Sequence, residues 1–391
     1  MIPTIKLSAA QMLGLAALGV VMGAWIKRRV PLLDRLNIPV PILGGMVYAI
    51  ATLALHGRIA NIEADGTLRD LSMIAFMTTI GLGARLQLLR QGGAKLLWFF
   101  AVATLGALLQ NVLGIGLARA LGVDARLGIL TGSVALAGGP ATSLAFGGMF
   151  EKQGVAGATA VAFASATFGI TVAGLIGGYI GGWLIRRHRL KSRAAAVERA
   201  ARSEAAAGSL LSTVLVIAIS MGAGSLVSAA FENAGVILPV YIGSMIVAAV
   251  IRNLDDRLHL ANLSQTDVDS IARITLFLFI VMALVTLRLW ELAHLALPML
   301  VMLGAQVAFC WAMCLTIVFW VMGRNHEAAV SSAGFCGFML GITANAVACM
   351  EELTEKYGPA PQAFLVVPIV GAFLIDFTNS MIITALANWM K

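Results

Sequence analysis

The residues able to do chemistry in this sequence fall in three short stretches. Asp376 lies inside the apolar run 364–383, with Thr378 close by and Asn379 three residues on. An ionised carboxylate at the centre of a bilayer costs roughly 2.5–3.5 kcal/mol on insertion scales, and a bound cation offsets that cost. A carboxylate, a hydroxyl and an amide within one helical turn are hard oxygen ligands, so Asp376, Thr378 and Asn379 are candidate ligands for an alkali cation. A structural Asp, protonated or paired within the helix, and a carboxyl that itself carries a proton are the alternatives these residues leave open.

The other two stretches are rich in glycine: Ala137-Gly138-Gly139-Pro140-Ala141-Thr142-Ser143, and Gly334 through Asn345. Glycine lets a chain reverse without a side-chain clash. A helix that begins after such a reversal offers free N–H groups and a positive dipole end, which suit a carboxylate. Small residues also allow plain tight packing of helices. Polar residues beside the glycines favour a binding site, and the candidates are Gly138, Gly139, Thr142, Ser143, Gly341, Thr343 and Asn345.

Weaker signals lie nearby. Gln110 and Asn111, and separately Gln306, suit hydrogen bonds between helices before cavity lining. Thr78, Thr79 and Thr167 are able to line a cavity or to bond back to their own helices. Arg85 stands near the end of a span and reads as a side chain that snorkels to the interface. Cys310, Cys314, Cys336 and Cys349 all lie in apolar stretches and read as small packing residues, without a completed metal site.

The elements that must carry these residues follow from composition. Of 391 residues 60% are hydrophobic and 12% charged, against about 25% charged in soluble domains. Lipid must therefore be the solvent. The net charge of +8 does not point to nucleic acid, because the basic residues border apolar spans. The first apolar run is long enough to span and does not read as a short cleavable leader. Apolar runs near 8–26, 38–56, 71–89, 96–121, 156–185, 209–231, 236–251, 271–290, 295–322 and 361–389 predict ten spans. The stretches at about 127–150 and 327–350 predict re-entrant hairpins, tolerated at membrane depth only where protein or a water-filled cavity surrounds them.

The two halves echo each other at a displacement of about 200 residues. Ile38-Pro39-Val40 recurs as Leu238-Pro239-Val240, Glu151-Lys152-Gln153-Gly154 as Glu355-Lys356-Tyr357-Gly358, and Gln110 has a counterpart in Gln306. Five spans per half force the second half to start on the opposite side. The expected fold is thus an all-α polytopic membrane protein of two inverted repeats, each of five transmembrane helices with a re-entrant hairpin. Residues 1–185 form the first repeat, 186–208 a basic cytoplasmic linker and 209–391 the second repeat. Counting Lys and Arg places both termini outside the cytoplasm. Inverted repeats put a binding site near the midplane at their interface, as in secondary transporters. An enzyme is not expected, since no paired acids or His cluster lie within the spans. A channel would need a continuous polar pore.

The sequence resembles the bacterial sodium/glutamate symporter family over nearly its whole length. Ala166-Thr167-Phe168-Gly169 with Gly174-Leu175-Ile176-Gly177-Gly178, Leu287–Leu300 (LRLWELAHLALPML) and Ala363–Asp376 (AFLVVPIVGAFLID) carry the resemblance. It implies sodium-coupled import of L-glutamate or a related small carboxylate or amino acid, with Na+ as coupling ion. It further implies a homodimer in the lipid bilayer of the bacterial inner membrane and an elevator-like motion. The alternative is a proton-coupled transporter of another small organic anion. The family's first hairpin typically reads Gly-Gly-His-Gly-Thr-Gly. Here Pro140, Ala141 and Ser143 depart while Gly138, Gly139 and Thr142 match. In the second hairpin Gly337, Leu340, Gly341 and Thr343 match, and Phe335, Met339 and Ala344 depart. In the third span Gly83 and Arg85 stand where the family often has Asn.

Overall fold

Apolar stretches of this length close their backbone hydrogen bonds internally as helices, and the computed structural model is helical almost throughout. It describes residues 3–35, 38–87, 93–192, 210–234, 239–258, 261, 263–292 and 295–390. The main helices are α1 (Ala9–Arg29), α2 (Val40–Leu55), α3 (Thr67–Gly83), α4 (Gly93–Ala120), α5 (Ala125–Ile129), α6 (Gly139–Lys152) and α7 (Ala158–Arg187). They continue as α8 (Leu210–Asn233), α9 (Val240–Leu258), α10 (Gln265–Val285), α11 (Ala296–Val321), α12 (His326–Met339), α13 (Thr343–Tyr357) and α14 (Pro361–Trp389). Two short strands, Thr4–Leu7 and Asn61–Ala64, pair in parallel.

Among the described residues, seven helices are long and apolar enough to cross a membrane: α1, α4, α7, α8, α10, α11 and α14. The other three expected spans, α2, α3 and α9, are shorter or end in charged residues, and they pack against those seven. Some boundaries move. The eighth span starts at Gln265 and ends at Val285 instead of covering 271–290, because the Ser264 side chain caps its first turn by accepting from the Asp267 amide. The next residues form a short turn where Trp290 stacks on His56 at 3.7 Å. α3 stops at Gly83. Arg85, expected to snorkel, instead makes a two-pronged ion pair with Asp256 at 2.8 and 2.9 Å, tying the end of α3 to α9.

The helices sort into two bundles. One holds α1, α2, α3, α8, α9 and α10, and the other holds α4 to α7 with α11 to α14. They meet chiefly where α10 packs on α6 and where α14 touches α3 and α9. In the first bundle, close approach depends on missing side chains: a methyl on Gly44 would strike the Gly19 carbonyl, and one on Gly224 would strike Ser244. Similar features recur about 200 residues apart. Pro39 and Pro239 each precede a helix and accept from the amides of Ile42 and Ile242. Gly154 and Gly358 both hold left-handed backbone, with φ of 88° and 100°, just after the second hairpin helices. Leu238 of the repeated motif and most of the linker (193–209) lie outside the described residues.

Gly44→Val should wedge α1 from α2 and destabilise the protein by about 1–3 kcal/mol. Gly14→Ala, on the neighbouring helix α1 and with nothing within 4 Å, should cost nothing. Thermal unfolding in detergent compares the two, and equal melting temperatures would refute the close-packing account.

Candidate substrate and cation site

Each glycine-rich stretch folds as two helical arms joined by a reversal. The first descends through α5 and a wide π-helical turn at Leu130–Val134, reverses over 135–138 and returns as α6. Asp124 caps its entry by accepting from the Arg126 amide, and its hydrogen bond from the Arg126 guanidinium holds it below the usual carboxylate range. The second hairpin is α12, a reversal at Leu340-Gly341-Ile342, and α13. The tips touch: a methyl on Gly139 would come within 3.2 Å of Ile342 Cγ2 and 3.7 Å of the Gly341 carbonyl. Gly139 has φ +66°, so glycine is needed there for its backbone as well.

The broken backbone at both tips is clasped by buried amides. Asn111 Oδ1 accepts from the Ser133 amide at 3.2 Å and from Ser133 Oγ at 3.0 Å. Asn379 donates to the Ser133 carbonyl at 2.9 Å. For the second hairpin, Gln110 donates to the Met339 carbonyl at 3.0 Å, and Asn345 donates to the Ile170 carbonyl at 2.9 Å. Gln306 donates to the Gln110 carbonyl at 2.7 Å. The amide oxygens of Gln110, Gln306, Asn345 and Asn379 remain buried without a protein partner.

A cavity of about 280 Å³ opens between the bundles at the tips, near the lower end of ligand-pocket sizes. One wall is apolar: Pro39 and Pro41 at the start of α2, Phe76 of α3, and Leu276, Phe277 and Ile280 of α10. The facing wall is the hairpin tips, with Gly138, Pro140 and Ala141 from the first and Gly341, Ile342, Thr343 and Ala344 from the second. Asp376 completes it, two residues past a π-helical turn at Val370–Leu374. Such turns cluster at functional sites. Among the described residues, nothing in the protein hydrogen-bonds or ion-pairs with the Asp376 carboxylate, and no Lys or Arg lines the cavity.

Of the residues singled out from sequence, Gly138, Gly341, Thr343 and Asp376 therefore share one cavity. Gly139 forms the contact between tips. Thr142 is packed under Gly138, and the buried Ser143 hydroxyl has no partner. Asn345 and Asn379 stand behind the wall as clasps. Thr378 bonds back to the Leu374 carbonyl, and Thr78, Thr79 and Thr167 bond back likewise to Ile74, Phe76 and Phe163. Sequence reasoning missed the apolar wall, because Phe76 and Phe277 look like any lipid-facing aromatics. It also missed Ser133, whose partners are far away in the chain.

The sequence profile described as Sodium/glutamate symporter matches residues 5–359. The chain is 37% identical over 379 residues to the sodium/glutamate symporter of Escherichia coli (strain K12), covering 94% of each chain. It is 35% identical over 389 residues to that of Haemophilus influenzae, covering 96% of each. This chain belongs to the sodium/glutamate symporter family. Among solved structures, the sodium proton antiporter MjNhaP1 of Methanocaldococcus jannaschii gives a loose likeness, with a TM-score of 0.44 at 14% identity over 97% of this chain and 98% of that one.

The two hairpin tips offer different backbone donors. Two adjacent N–H groups, those of Thr343 and Ala344, open α13 on the cavity wall with no described partner and no side-chain cap. The first turn of α6 has one donor fewer, since Pro140 lacks an N–H.

Asn111→Ala removes the acceptor for both Ser133 donors and should cost about 1–3 kcal/mol locally. Hydrogen exchange should speed up across 130–139 while the rest of α4 stays protected. Unchanged protection of that stretch would show that the clasp does not hold the hairpin.

Proposed function

We propose that this chain is a sodium-coupled symporter that imports glutamate or a closely related small carboxylate. The observation that carries this reading is the cavity where both hairpin tips meet the unpartnered carboxylate of Asp376. The relatives named as sodium/glutamate symporters support the choice of ion and substrate.

The electrostatics follow from the lining. A carboxylate substrate adds negative charge to a cavity that already holds Asp376 and has no Lys or Arg in its wall. Entry of the anion alone is therefore unfavourable, and a co-bound cation reverses the sign. Asp376 supplies the charged ligand for that ion. Asn379, one turn along the same helix, contributes its orphaned Oδ1, and Thr378 a hydroxyl oxygen. The substrate carboxylate sits at the start of α13, where the N–H groups of Thr343 and Ala344 and the helix dipole favour an anion. Gly138, Gly139 and Gly341 let it approach the backbone, and Thr142, Ser143 and Asn345 support the tips from behind. The proton-coupled alternative gives Asp376 a proton in place of the ion.

In this reading residues 1–185 and 209–391 are inverted repeats joined by the basic linker, and both termini face away from the cytoplasm. The paired features about 200 residues apart support the repeat. The bundle that carries the hairpins moves as a unit against the other in an elevator-like motion. The first bundle, facing its partner in a homodimer, stays fixed in the bacterial inner membrane.

Uptake into proteoliposomes under an imposed inward sodium gradient tests the proposal. Labelled glutamate should accumulate only with the gradient, and a gradient-independent flux would remove the symport reading. Asp376→Asn should insert and fold but lose sodium-driven accumulation. Retained sodium dependence in that variant would exclude Asp376 as a ligand. Pro140→His adds a ring where the family has one and should narrow the substrate profile toward glutamate. An unaltered profile would exclude Pro140 from substrate choice.

A further inference from the structure

Three cysteines that look unrelated in the sequence come together in the second bundle. Cys310 and Cys314 are four residues apart on α11 and share its face. Cys314 opens a π-helical turn, Cys314–Val318, in that helix. Cys336 lies on α12, inside the second hairpin. The three sulfur atoms all lie within 4.8 Å of one another, all three residues are buried, and none is in a disulfide. The three belong to a buried apolar core that also holds Phe99, Phe335 and Phe338, whose rings meet edge to face with centroids 5.5 to 6.0 Å apart.

We propose that Cys310, Cys314 and Cys336 form a binding site for a soft, thiophilic d¹⁰ cation, of which cadmium(II) and mercury(II) are the probes. Thiolate sulfur selects soft ions and does not suit sodium, so the site is chemically separate from the oxygen ligands around Asp376. A three-coordinate ion at the zinc–sulfur distance of about 2.3 Å needs the sulfurs roughly 4 Å apart, a larger ion somewhat more, and sulfurs within 4.8 Å of one another reach that with at most a small contraction. The charges also balance. One divalent ion enters, two thiol S–H bonds break and two S–metal bonds form, and two protons leave. The third sulfur donates a lone pair as a neutral thiol. The product carries no net charge, as an apolar interior requires.

The site sits one turn from the transport cavity. The Leu340 amide donates to the Cys336 carbonyl at 3.1 Å, and Gly341 and Ile342 follow on the cavity wall. An ion bridging α11 to α12 would hold this arm of the hairpin. That consequence rests on the symport reading, whereas binding itself is read without transport.

The experiment titrates purified protein with cadmium(II) and, separately, mercury(II), following the sulfur-to-metal charge-transfer absorbance and the protons released. One ion per chain and two protons per ion are expected. Cys310→Ala, Cys314→Ala and Cys336→Ala should each weaken binding at least tenfold, and the triple variant should abolish it. Cys349→Ala should bind as the parent does, because Cys349 lies apart with its thiol directed to the Ala173 carbonyl. An absorbance band that survives in the triple variant, or that disappears with Cys349, would overturn the site. If the triple variant does not fold, the Cys336→Ala variant carries the test, since loss of one ligand from one helix must lower both the affinity and the band intensity. Unchanged affinity there would reduce the cluster to packing.

Discussion

Lipid offers no hydrogen bonds, so every break in a helix at membrane depth must bring its own partners. That constraint organises the second bundle. The chain reverses twice inside it, and each reversal frees backbone groups that water would otherwise satisfy. Ser133 is the clearest instance: its amide and hydroxyl go to Asn111, and its carbonyl takes the amides of Gly138 and Asn379. The second hairpin is held by Gln110 at Met339, and in turn grips α7 through Asn345. The clasps cross the chain. The first hairpin is bound to α14 and the second to α4 and α7. Neither tip can shift without the helices of the other half, so the hairpin bundle is cross-braced as one body.

The opposite face of the cavity has the complementary character. Phe76, Leu276, Phe277 and Ile280 present carbon to the tips, and the two bundles exchange few contacts there. If the bundles slide as proposed, a polar seam would have to break and remake hydrogen bonds in a medium with no water to substitute, at about 1–3 kcal/mol for each unsatisfied group. An apolar wall avoids that barrier. Its charged contacts are kept away from the tips, as in the Arg85–Asp256 pair that ties α3 to α9. Polar groups thus hold each bundle together internally, and carbon separates them.

Much of this was legible in the sequence, and the part that was not has a common cause. Spans and hairpins follow from local composition, so 127–150 and 327–350 were readable from their glycines. Asp376 was readable because a carboxylate in an apolar run is costly wherever it points. What failed were questions of direction and of distant partners. Thr78, Thr79 and Thr167 have the right chemistry to line a cavity, but each hydroxyl bonds back to its own helix. Arg85 looked like a snorkelling side chain because Asp256 is 171 residues away. Cys336 likewise meets Cys310 and Cys314 only through the packing of α12 on α11. The start of α10 at Gln265 was missed because its polar first turns lie beyond the apolar run, although Ser264 marks the cap.

The two hairpins are alike in path and unlike in chemistry, and the difference assigns them separate tasks. In the first, Gly139 adopts left-handed backbone to bring the tip against Ile342, and Pro140 removes a donor from the turn that follows. Its contribution is shape. In the second, Thr343 and Ala344 open α13 at the cavity wall with N–H groups that have no described partner, and no side chain caps them. Its contribution is a field that favours an anion. Asp376 arrives from α14 with the opposite preference, for a cation. In the proposed symport, a substrate carboxylate at the start of α13 and a cation at Asp376 would be neighbours in one small space, the cation screening the Asp376 charge from the anion. On the proposed reading the anion alone would face the Asp376 charge against carbon walls, whereas the cation neutralises that charge, so the ion would favour entry of the anion. Dependence of the anion on the ion would follow from that neutralisation.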